Sequence, residues 1–373
     1  MQLTESVDIA IIGGGPAGTA LALTLCLYSK LTVAVIERTA YNDIRIGEHV
    51  SASLLPLLDY LHVKDLFLAD NHLPVYNVAA VWGTSFIHTR NSIFNQMGEG
   101  YLLKRGEFDA MLAEQVFHHG GQLYLQTKCE EGEQLAGGGW QLSLCDNSGQ
   151  RHRLEARYLV DATGRQAKIA KRLGANSVTY DRLVGICGLI DFQDNKSKAE
   201  EIIVESVSEG WWYSAWLPDG YLIATLMTDV DIMQQQRLHK EQAWSRMLAK
   251  TNYTRQRAAG GSLVYPLTVK TAYSHILDCA VGDDWLAVGD AATAFDPLSS
   301  MGIGHAIASG CNVGVALIEH FNHQGRLLVE YQSRLEANFE TYLKMRRSYY
   351  EIETRWTQAP FWQRRATLIP CSV

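Results

Sequence analysis

The chain has 373 residues, of which 47% are hydrophobic and 20% are charged, and its formal net charge is −7. This balance is typical of a globular protein of two to three structural units, and the acidic excess excludes a broadly electrostatic nucleic-acid binder. The 7 cysteines are scattered and form no CxxC pair. The sequence therefore predicts neither a disulfide framework nor a metal site.

The apolar run over residues 7–28 is not typical of a signal peptide or a membrane span. Gly13, Gly14, Gly15 and Pro16 interrupt it, and no basic segment precedes it. We therefore expect a cytoplasmic protein without a transmembrane segment. The run predicts a strand over residues 7–12, a glycine turn, and a helix from Pro16 to about residue 29. With a further strand over residues 31–37, it forms a parallel β-α-β unit.

Later segments alternate between the two periodicities. Helices are predicted over residues 54–68, 107–118, 233–250, 303–321 and 327–365. Strands are predicted over residues 122–129, 140–145, 152–160, 183–192, 200–207, 212–217, 221–228 and 285–288. The four strands between residues 183 and 228 predict an antiparallel sheet. Gly310 and Gly314 lie on the apolar face of the helix over 303–321, where they predict a very close packing partner.

The first chemical motif is Gly13-x-Gly15-x-x-Gly18, between the first strand and the first helix. Its glycines permit a tight turn and close approach to a pyrophosphate, and the helix N-terminus supplies oriented N–H groups. Glu37 follows at the end of the second strand, where it is able to accept hydrogen bonds from both ribose hydroxyls. The motif predicts dinucleotide binding.

The second motif is a strand that ends in Gly289-Asp290 and runs into the segment 297–304. Together the two motifs resemble the FAD-dependent hydroxylases and halogenases of the glutathione-reductase-type flavoprotein fold. The resemblance implies that Asp290 binds the ribityl chain of FAD and that the turn from Pro297 lies beside the isoalloxazine. A helix starting near residues 300–303 would stabilise negative charge on the reduced flavin.

Three further segments fit the same family. Asp161-Ala-Thr-Gly-Arg resembles its adenosine-side strand end, Arg105 resembles an arginine near the FAD phosphates or ribose, and Arg45-Ile-Gly-Glu resembles its flavin loop. His49 stands where that loop usually has serine. The residues expected to bind FAD are Gly13, Gly15, Pro16, Ala17, Gly18, Glu37, Arg38, Arg45, Gly47, Arg105, Asp161, Gly164, Gly289, Asp290, Pro297, Met301, Gly302 and Ile303.

The implied fold class is α/β. It comprises a glutathione-reductase-type FAD-binding Rossmann domain, an inserted antiparallel β-sheet substrate domain and a helical C-terminal tail. The FAD-binding domain is expected over residues 1–75, 100–180 and 275–325, the substrate domain over 76–99 and 181–274, and the C-terminal segment over 326–373. The resemblance covers roughly residues 7–320.

Two features disfavour a halogenase. The segment 210–218 does not match the Trp-x-Trp-x-Ile-Pro pattern of tryptophan halogenases. Those enzymes also need a lysine soon after the flavin loop, whereas this chain has none between Asp65 and Leu103.

Instead the chain is similar to the flavoprotein maturases of tryptophylquinone-dependent oxidases, of the lysine ε-oxidase and glycine oxidase type. This resemblance implies an FAD-dependent monooxygenase that uses O2 and hydroxylates a tryptophan of a partner oxidase precursor, with NAD(P)H as the reductant. The alternatives are a small-molecule aromatic hydroxylase or halogenase, and a flavin-binding maturation chaperone.

Candidate residues for the chemistry lie near the expected flavin. Glu48 and His49 are candidates for proton handling, with loop contacts as the alternative. Tyr213 and Trp216 are candidates for the substrate pocket, with ordinary sheet packing as the alternative. The tail interleaves arginines with aromatic residues, which is typical of a partner interface or of a helix packed on its own domain.

Overall fold

The computed structural model describes residues 5–42, 45–91, 98–193, 201–323 and 325–366. The helices are α1 (Pro16–Tyr28), α2 (Leu55–Tyr60), α3 (Lys64–Ala69), α4 (Arg105–His118), α5 (Lys168–Arg172), α6 (Val230–Gln235), α7 (Glu241–Leu248), α8 (Tyr253–Ala258), α9 (Gly302–Phe321), α10 (Arg326–Val329), α11 (Tyr331–Glu351) and α12 (Pro360–Arg365). The strands are β1 (Glu5–Ile12), β2 (Val33–Ile36), β3 (His49–Val50), β4 (Leu73–Val75), β5 (Asn77–Val81), β6 (His88–Asn91), β7 (Gly100–Leu102), β8 (Gln122–Tyr124), β9 (Thr127–Gln134), β10 (Trp140–Asp146), β11 (Arg151–Asp161), β12 (Ser177–Thr179), β13 (Leu183–Asp191), β14 (Glu201–Val207), β15 (Gly210–Trp216), β16 (Leu222–Asp229), β17 (Ser262–Leu263), β18 (Thr268–Thr271), β19 (His275–Leu277), β20 (Trp285–Ala287) and β21 (Thr293–Ala294).

A seven-stranded sheet forms the first half of the molecule, in the order β8-β2-β1-β11-β10-β9, with β20 beside β11. Strands β8, β2, β1, β11 and β20 run parallel, whereas β10 and β9 are antiparallel. The continuous apolar runs in β1 and β2 are explained by burial on both faces of the parallel part of the sheet.

Helices α1 and α9 pack against each other over one face of this sheet. A Cβ atom on Gly310 would lie 2.4 Å from the Ala17 carbonyl oxygen, and one on Gly314 would lie 2.6 Å from Cγ2 of Thr24. Only glycine permits this approach, which confirms the predicted close packing.

An eight-stranded sheet forms the second half, in the order β17-β13-β16-β15-β14-β5-β6, with β18 beside β13. Within it, β13, β16, β15 and β14 lie side by side in that order, and each pair of neighbours is antiparallel. One face packs on α7, where the rings of Trp212 and Trp244 have centroids 5.1 Å apart. The predicted α/β fold with an antiparallel sheet and a helical tail is confirmed.

Three predicted elements are interrupted where a residue adopts a left-handed conformation. His62 separates α2 from α3, Arg237 separates α6 from α7, and Gln126 separates β8 from β9, with φ of 58°, 52° and 52°. A single left-handed residue redirects the chain and ends a regular element. The tail is likewise three helices, and Pro360 starts the last one. No described helix is long and apolar enough to cross a membrane.

Candidate active site

A cavity of about 770 Å³ lies between the two halves of the molecule. Its first wall comes from the turn before α1, the segment 46–49, and the segment from Asp290 to the start of α9. Its second wall is one face of the eight-stranded sheet, and Tyr349 and Ile352 of the tail complete it. Ten of the expected cofactor residues line it: Gly15, Pro16, Ala17, Gly47, Arg105, Gly164, Asp290, Pro297, Gly302 and Ile303.

The glycine turn before α1 forms a cradle at one end of the cavity. Gly13 has φ of +117°, and a Cβ atom there would lie 2.2 Å from the Ala162 carbonyl oxygen. A Cβ atom on Gly18 would lie 2.0 Å from the Gly13 carbonyl oxygen, whereas one on Gly15 would meet nothing within 4 Å. Gly13 and Gly18 therefore permit the chain crossing, and Gly15 leaves open space for a ligand at the helix N-terminus.

Glu37 is 7% exposed and holds this cradle through its carboxylate. Its Oε2 accepts from the Gly14 N–H at 2.8 Å, and its Oε1 accepts from the N–H and hydroxyl of Thr39 at 3.0 and 2.6 Å. Oε2 therefore keeps a lone pair for a ribose hydroxyl, whereas Oε1 already accepts two hydrogen bonds. The adjoining Arg38 is exposed.

A buried charge network connects this end of the cavity with the loop at residues 46–49. Arg45 lies 3.6 Å from Glu37 and 2.7 Å from Asp109, which is fully buried. Arg105 also pairs with Asp109, at 3.0 Å, and donates to the Gly47 carbonyl oxygen at 2.5 Å. Arg45 therefore acts behind the cavity wall, whereas Arg105 fixes the loop and lines the cavity.

The structure gives Asp161 a different role from the expected one. Asp161 is fully buried, and its carboxylate accepts from the N–H groups of Thr163, Ile169 and Ala170 and from the Thr163 hydroxyl, at 2.7–2.9 Å. These four hydrogen bonds use its acceptor capacity. Asp161 therefore shapes the turn that carries Gly164 rather than contacting a cofactor.

Asp290 lines the cavity and lies three residues after the end of β20. Its Oδ2 is 3.1 Å from Nε of Arg165, which also donates to the carbonyl oxygens of Tyr273 and Phe295. The preceding Gly289 has φ of +60°, and a Cβ atom there would lie 2.6 Å from Cβ of Ala17. Gly289 therefore brings Asp290 close to the cradle at α1.

The segment after Asp290 brings a second helix N-terminus to the same cavity. Helix α9 begins at Gly302, where an added Cβ would meet nothing within 4 Å, and Gly302 and Ile303 line the cavity. Met301 packs instead against the core that contains Leu335 and Phe339. Two helix N-termini and open space at Gly15 and Gly302 fit a dinucleotide with a ring that becomes anionic, so the residues present fit FAD.

Glu48 and His49 lie where the two walls meet, and both line the cavity. Burial raises the pKa of Glu48, which is 4% exposed and accepts from the Gly47 N–H at 2.8 Å. Burial lowers the pKa of His49 to about 4. At neutral pH His49 is therefore a neutral imidazole, and the Glu48 carboxyl retains a proton more readily than an exposed glutamate.

Tyr213 faces Glu48 from the opposite wall. Burial and the nearby Glu48 charge raise the pKa of its phenol well above the ordinary value. Tyr213 lines the cavity, and its buried phenol oxygen makes no well-formed hydrogen bond among the described residues, although it interacts with the Glu48 carboxyl. The Tyr213–Glu48 pair is therefore placed to share a proton or to bind a ligand.

Tyr213 belongs to a row that crosses five strands, and Trp216 does not. Strand register pairs the row's members successively, and all five line the cavity: Cys187, Thr225, Tyr213, Val204 and Ala80. Trp216 is three residues from Tyr213, so it points to the opposite face. There its ring packs against Phe192, with centroids 5.1 Å apart.

Long-range pairing also brings residues to the cavity that the sequence analysis missed. Thr225 and Cys187 follow from Tyr213 only once the register is known, which no local pattern specifies. Lys270 of β18 also lines the cavity. The cavity therefore contains a lysine, although the chain has none between Asp65 and Leu103.

The tail arginines divide between packing and exposure. Arg346 pairs with Asp181 and Asp296 at 3.0 and 3.5 Å, and Arg365 pairs with Asp229 at 2.8 Å; both arginines are buried. They hold the tail on its own chain, so they are not available to a partner.

Comparison with known proteins agrees with this geometry. A family model described as an FAD binding domain matches residues 6–343. Over 366 residues the chain is 36% identical to FAD-dependent oxidoreductase LodB of Marinomonas mediterranea, with 97% of each protein covered. It is 22% identical over 377 residues to tryptophan 2-halogenase of Chondromyces crocatus, which covers 97% of this chain and 71% of that protein.

Two solved structures share the fold. The myxobacterial chondrochloren halogenase CndH has a TM-score of 0.88 at 20% identity, covering 97% of this chain and 86% of its own. QhpG, a peptidyl tryptophan dihydroxylase essential for tryptophylquinone cofactor biogenesis, has a TM-score of 0.73 at 23% identity, covering 96% and 78%. At these identities the likeness shows the fold alone.

Proposed function

The chain belongs to the family of proteins with this FAD binding domain and is a flavin-dependent oxidoreductase, and from that premise we propose that it hydroxylates a tryptophan side chain in the precursor of a tryptophylquinone-dependent oxidase. Bound FAD supplies electron transfer and oxygen activation. NAD(P)H is the proposed reductant, and the partner precursor and O2 are the proposed co-substrates. The activity named for QhpG is the same chemistry.

The observation that carries the proposal is that the two walls of the cavity face each other, one formed by the expected FAD-binding residues and the other by the sheet. The FAD wall faces a sheet surface rich in apolar and aromatic side chains, including Trp211, Tyr213 and Val204. Such a surface suits an indole, which buries a large area and prefers aromatic neighbours. Glu48 lies where the walls meet, within the electrostatic reach of Tyr213.

The cavity reaches the surface beside exposed apolar residues. Val78, Tyr349 and Ile352 line it and are 38%, 38% and 57% exposed. A side chain carried on a partner protein would enter here while its backbone stayed outside. The exposed apolar rim would contact the partner surface around that side chain.

Glu48, His49 and Tyr213 would manage protons at the reacting indole. The buried Glu48 carboxyl keeps its proton to a higher pH than an exposed glutamate does, because burial raises its pKa. His49 is a neutral imidazole whose pKa of about 4 makes it a weak base, so it would carry a proton only transiently. The apolar sheet face excludes water from the same space.

The test is the intact mass of a tryptophylquinone-oxidase precursor co-expressed with this protein. We expect a gain of whole oxygen atoms at one tryptophan. Asp290→Ala, which removes a carboxylate from the cavity lining, should abolish this gain together with bound flavin. Asp219→Ala, at an exposed turn outside the cavity lining, should leave both unchanged.

Other outcomes would replace the proposal. Oxygenation that survives in flavin-free Asp290→Ala would indicate a maturation chaperone. No mass gain with flavin bound, together with turnover of a free indole or phenol, would indicate a small-molecule hydroxylase or halogenase. Lys270 in the cavity gives the halogenase a lysine to use.

A further inference from the structure

Helix α11 places three polar side chains, spaced by four residues, against Asp296. Asp296 begins the loop over residues 296–301 that leads into α9, here called the flavin-facing loop. The Asp296 N–H donates to the Tyr342 hydroxyl at 2.7 Å, Arg346 lies 3.5 Å from Oδ2 of Asp296, and the Tyr350 hydroxyl donates to the same oxygen at 2.7 Å. Residues at this spacing share one helix face. One face of α11 therefore surrounds Asp296.

Asp296 controls the start of the loop that lines the cavity. It is 1% exposed, and its Oδ1 accepts from the Leu298 N–H at 2.9 Å, which fixes the turn at Pro297. That turn leads directly into Gly302 at the beginning of α9. Groups that hold the Asp296 carboxylate therefore also hold the loop and the helix N-terminus that face the FAD site.

Tyr350 makes a second contact, on the other wall of the cavity. Its hydroxyl accepts from Nε1 of Trp211 at 3.1 Å. Trp211 lies on β15, two residues before Tyr213, and lines the same cavity. One buried hydroxyl therefore joins the FAD-facing loop to the substrate-facing strand.

We propose that Tyr350 is a positioning residue that sets the flavin-facing loop against the substrate-facing strand, through Asp296 on one side and Trp211 on the other. The inference goes beyond the proposed function, since it requires only FAD binding. It assigns to α11 a role in the site that does not involve partner docking.

The test compares Tyr350→Phe with Tyr331→Phe in the purified holoenzyme. Tyr331 lies on the same helix and donates to the Ala287 carbonyl oxygen at 2.8 Å, so the control loses a hydrogen bond that does not reach Asp296. We expect Tyr350→Phe to weaken FAD binding about tenfold, because a donor to a buried carboxylate is lost. The flavin midpoint potential should become more negative, because the start of α9 is no longer held where it offsets anionic charge.

A second variant separates positioning from general stability. Asp296→Asn should shift the flavin potential in the same direction, and the double variant with Tyr350→Phe should shift it little further, since both changes act on one contact. If Tyr350→Phe does not fold, Asp296→Asn alone decides. An unchanged flavin potential and FAD affinity in either variant, with only the loss of thermal stability seen in Tyr331→Phe, would overturn the inference. That result would leave the oxygenation test unaffected.

Discussion

The two walls of the cavity are built from different parts of the chain. The first wall, here called the FAD wall, depends on glycines. Gly13 and Gly18 let main-chain atoms approach where a side chain would clash, and Gly289 leaves room for Cβ of Ala17. The second wall, here called the substrate wall or sheet wall, depends on side chains from five strands and a tail helix. Strand register brings these side chains together. Substitution at these three glycines should therefore disrupt the whole first wall, whereas the second wall should tolerate single changes that alter chemistry.

The largest effect is expected at Gly13. Gly13→Ala places a Cβ atom 2.2 Å from the Ala162 carbonyl oxygen in a left-handed conformation. The strain should cost about 3 kcal/mol or more and prevent accumulation of folded flavoprotein. Gly15→Ala, whose Cβ meets nothing within 4 Å, should fold normally and bind less FAD. Thermal unfolding and flavin absorbance distinguish them, and equal behaviour of the two variants would contradict the comparison.

The second effect tests the tail that completes the substrate wall. Arg365→Met leaves Asp229 buried with the half-exposed Arg364 as its remaining partner. Breaking a buried ion pair should lower the free energy of unfolding by about 3–5 kcal/mol. Arg347→Met removes only an exposed pair with Glu351 and should change it by less than about 0.5 kcal/mol. Urea unfolding measures the free energy of unfolding of both variants. A loss in Arg365→Met as small as that in Arg347→Met would show that Arg365 contributes little.

The third prediction uses the two faces of strand β15. Tyr213→Phe should slow oxygenation of the partner by about tenfold to a hundredfold, because it removes the phenol that interacts with Glu48 in the cavity. Stability should change little, since the phenol oxygen makes no well-formed hydrogen bond. Trp216→Phe should lower the melting temperature by a few degrees and leave the rate unchanged. Rates and melting curves from the same preparations decide it. A slower rate in Trp216→Phe alone would reverse the assignment of faces.

The smallest effect is expected from pH. His49 is neutral when folded, with a pKa of about 4, and the unfolded chain takes up its proton below about 6.5. Stability should therefore fall as pH drops from about 6.5 to 4, by about 1–2 kcal/mol at pH 5 for this residue.

The matching variant is His49→Gln, which should flatten that pH dependence. The slope should not vanish, because burial also lowers the pKa of His275 to about 4. His119→Gln, at an exposed position, should leave the slope unchanged. Denaturation series at several pH values provide the measurement, and an undiminished slope in His49→Gln would count against burial as the cause.

The residues expected at the FAD wall follow from local sequence signals, whereas those of the sheet wall depend on long-range register. Glycine spacing around Gly13 and the acid at Glu37 are local requirements, readable within one β-α-β unit. Asp161 was placed at the correct turn, but whether a buried carboxylate faces ligand or backbone depends on neighbours that spacing does not reveal. Trp216 was assigned to the same face as Tyr213, although their separation of three residues already requires opposite faces.

The tail illustrates the same limit. Its arginines and aromatics are typical of an interface, and composition alone does not distinguish an interface with a partner from one within the chain. Arg346 and Arg365 meet Asp181 and Asp229, which are more than a hundred residues earlier in the chain. Such contacts are fixed by tertiary packing, and no local signal predicts them.

The glycine contact between α1 and α9 fixes the distance between the N-termini of these two helices. The N-terminus of each helix opens on the cavity, and the helices touch at Gly310, eight residues or about 12 Å along α9 from its start. Because backbone rather than side chains meets there, the separation of the two helix ends does not adjust. A ligand that uses both helix ends must therefore place a phosphate at one and a ring that becomes anionic at the other, across this fixed distance.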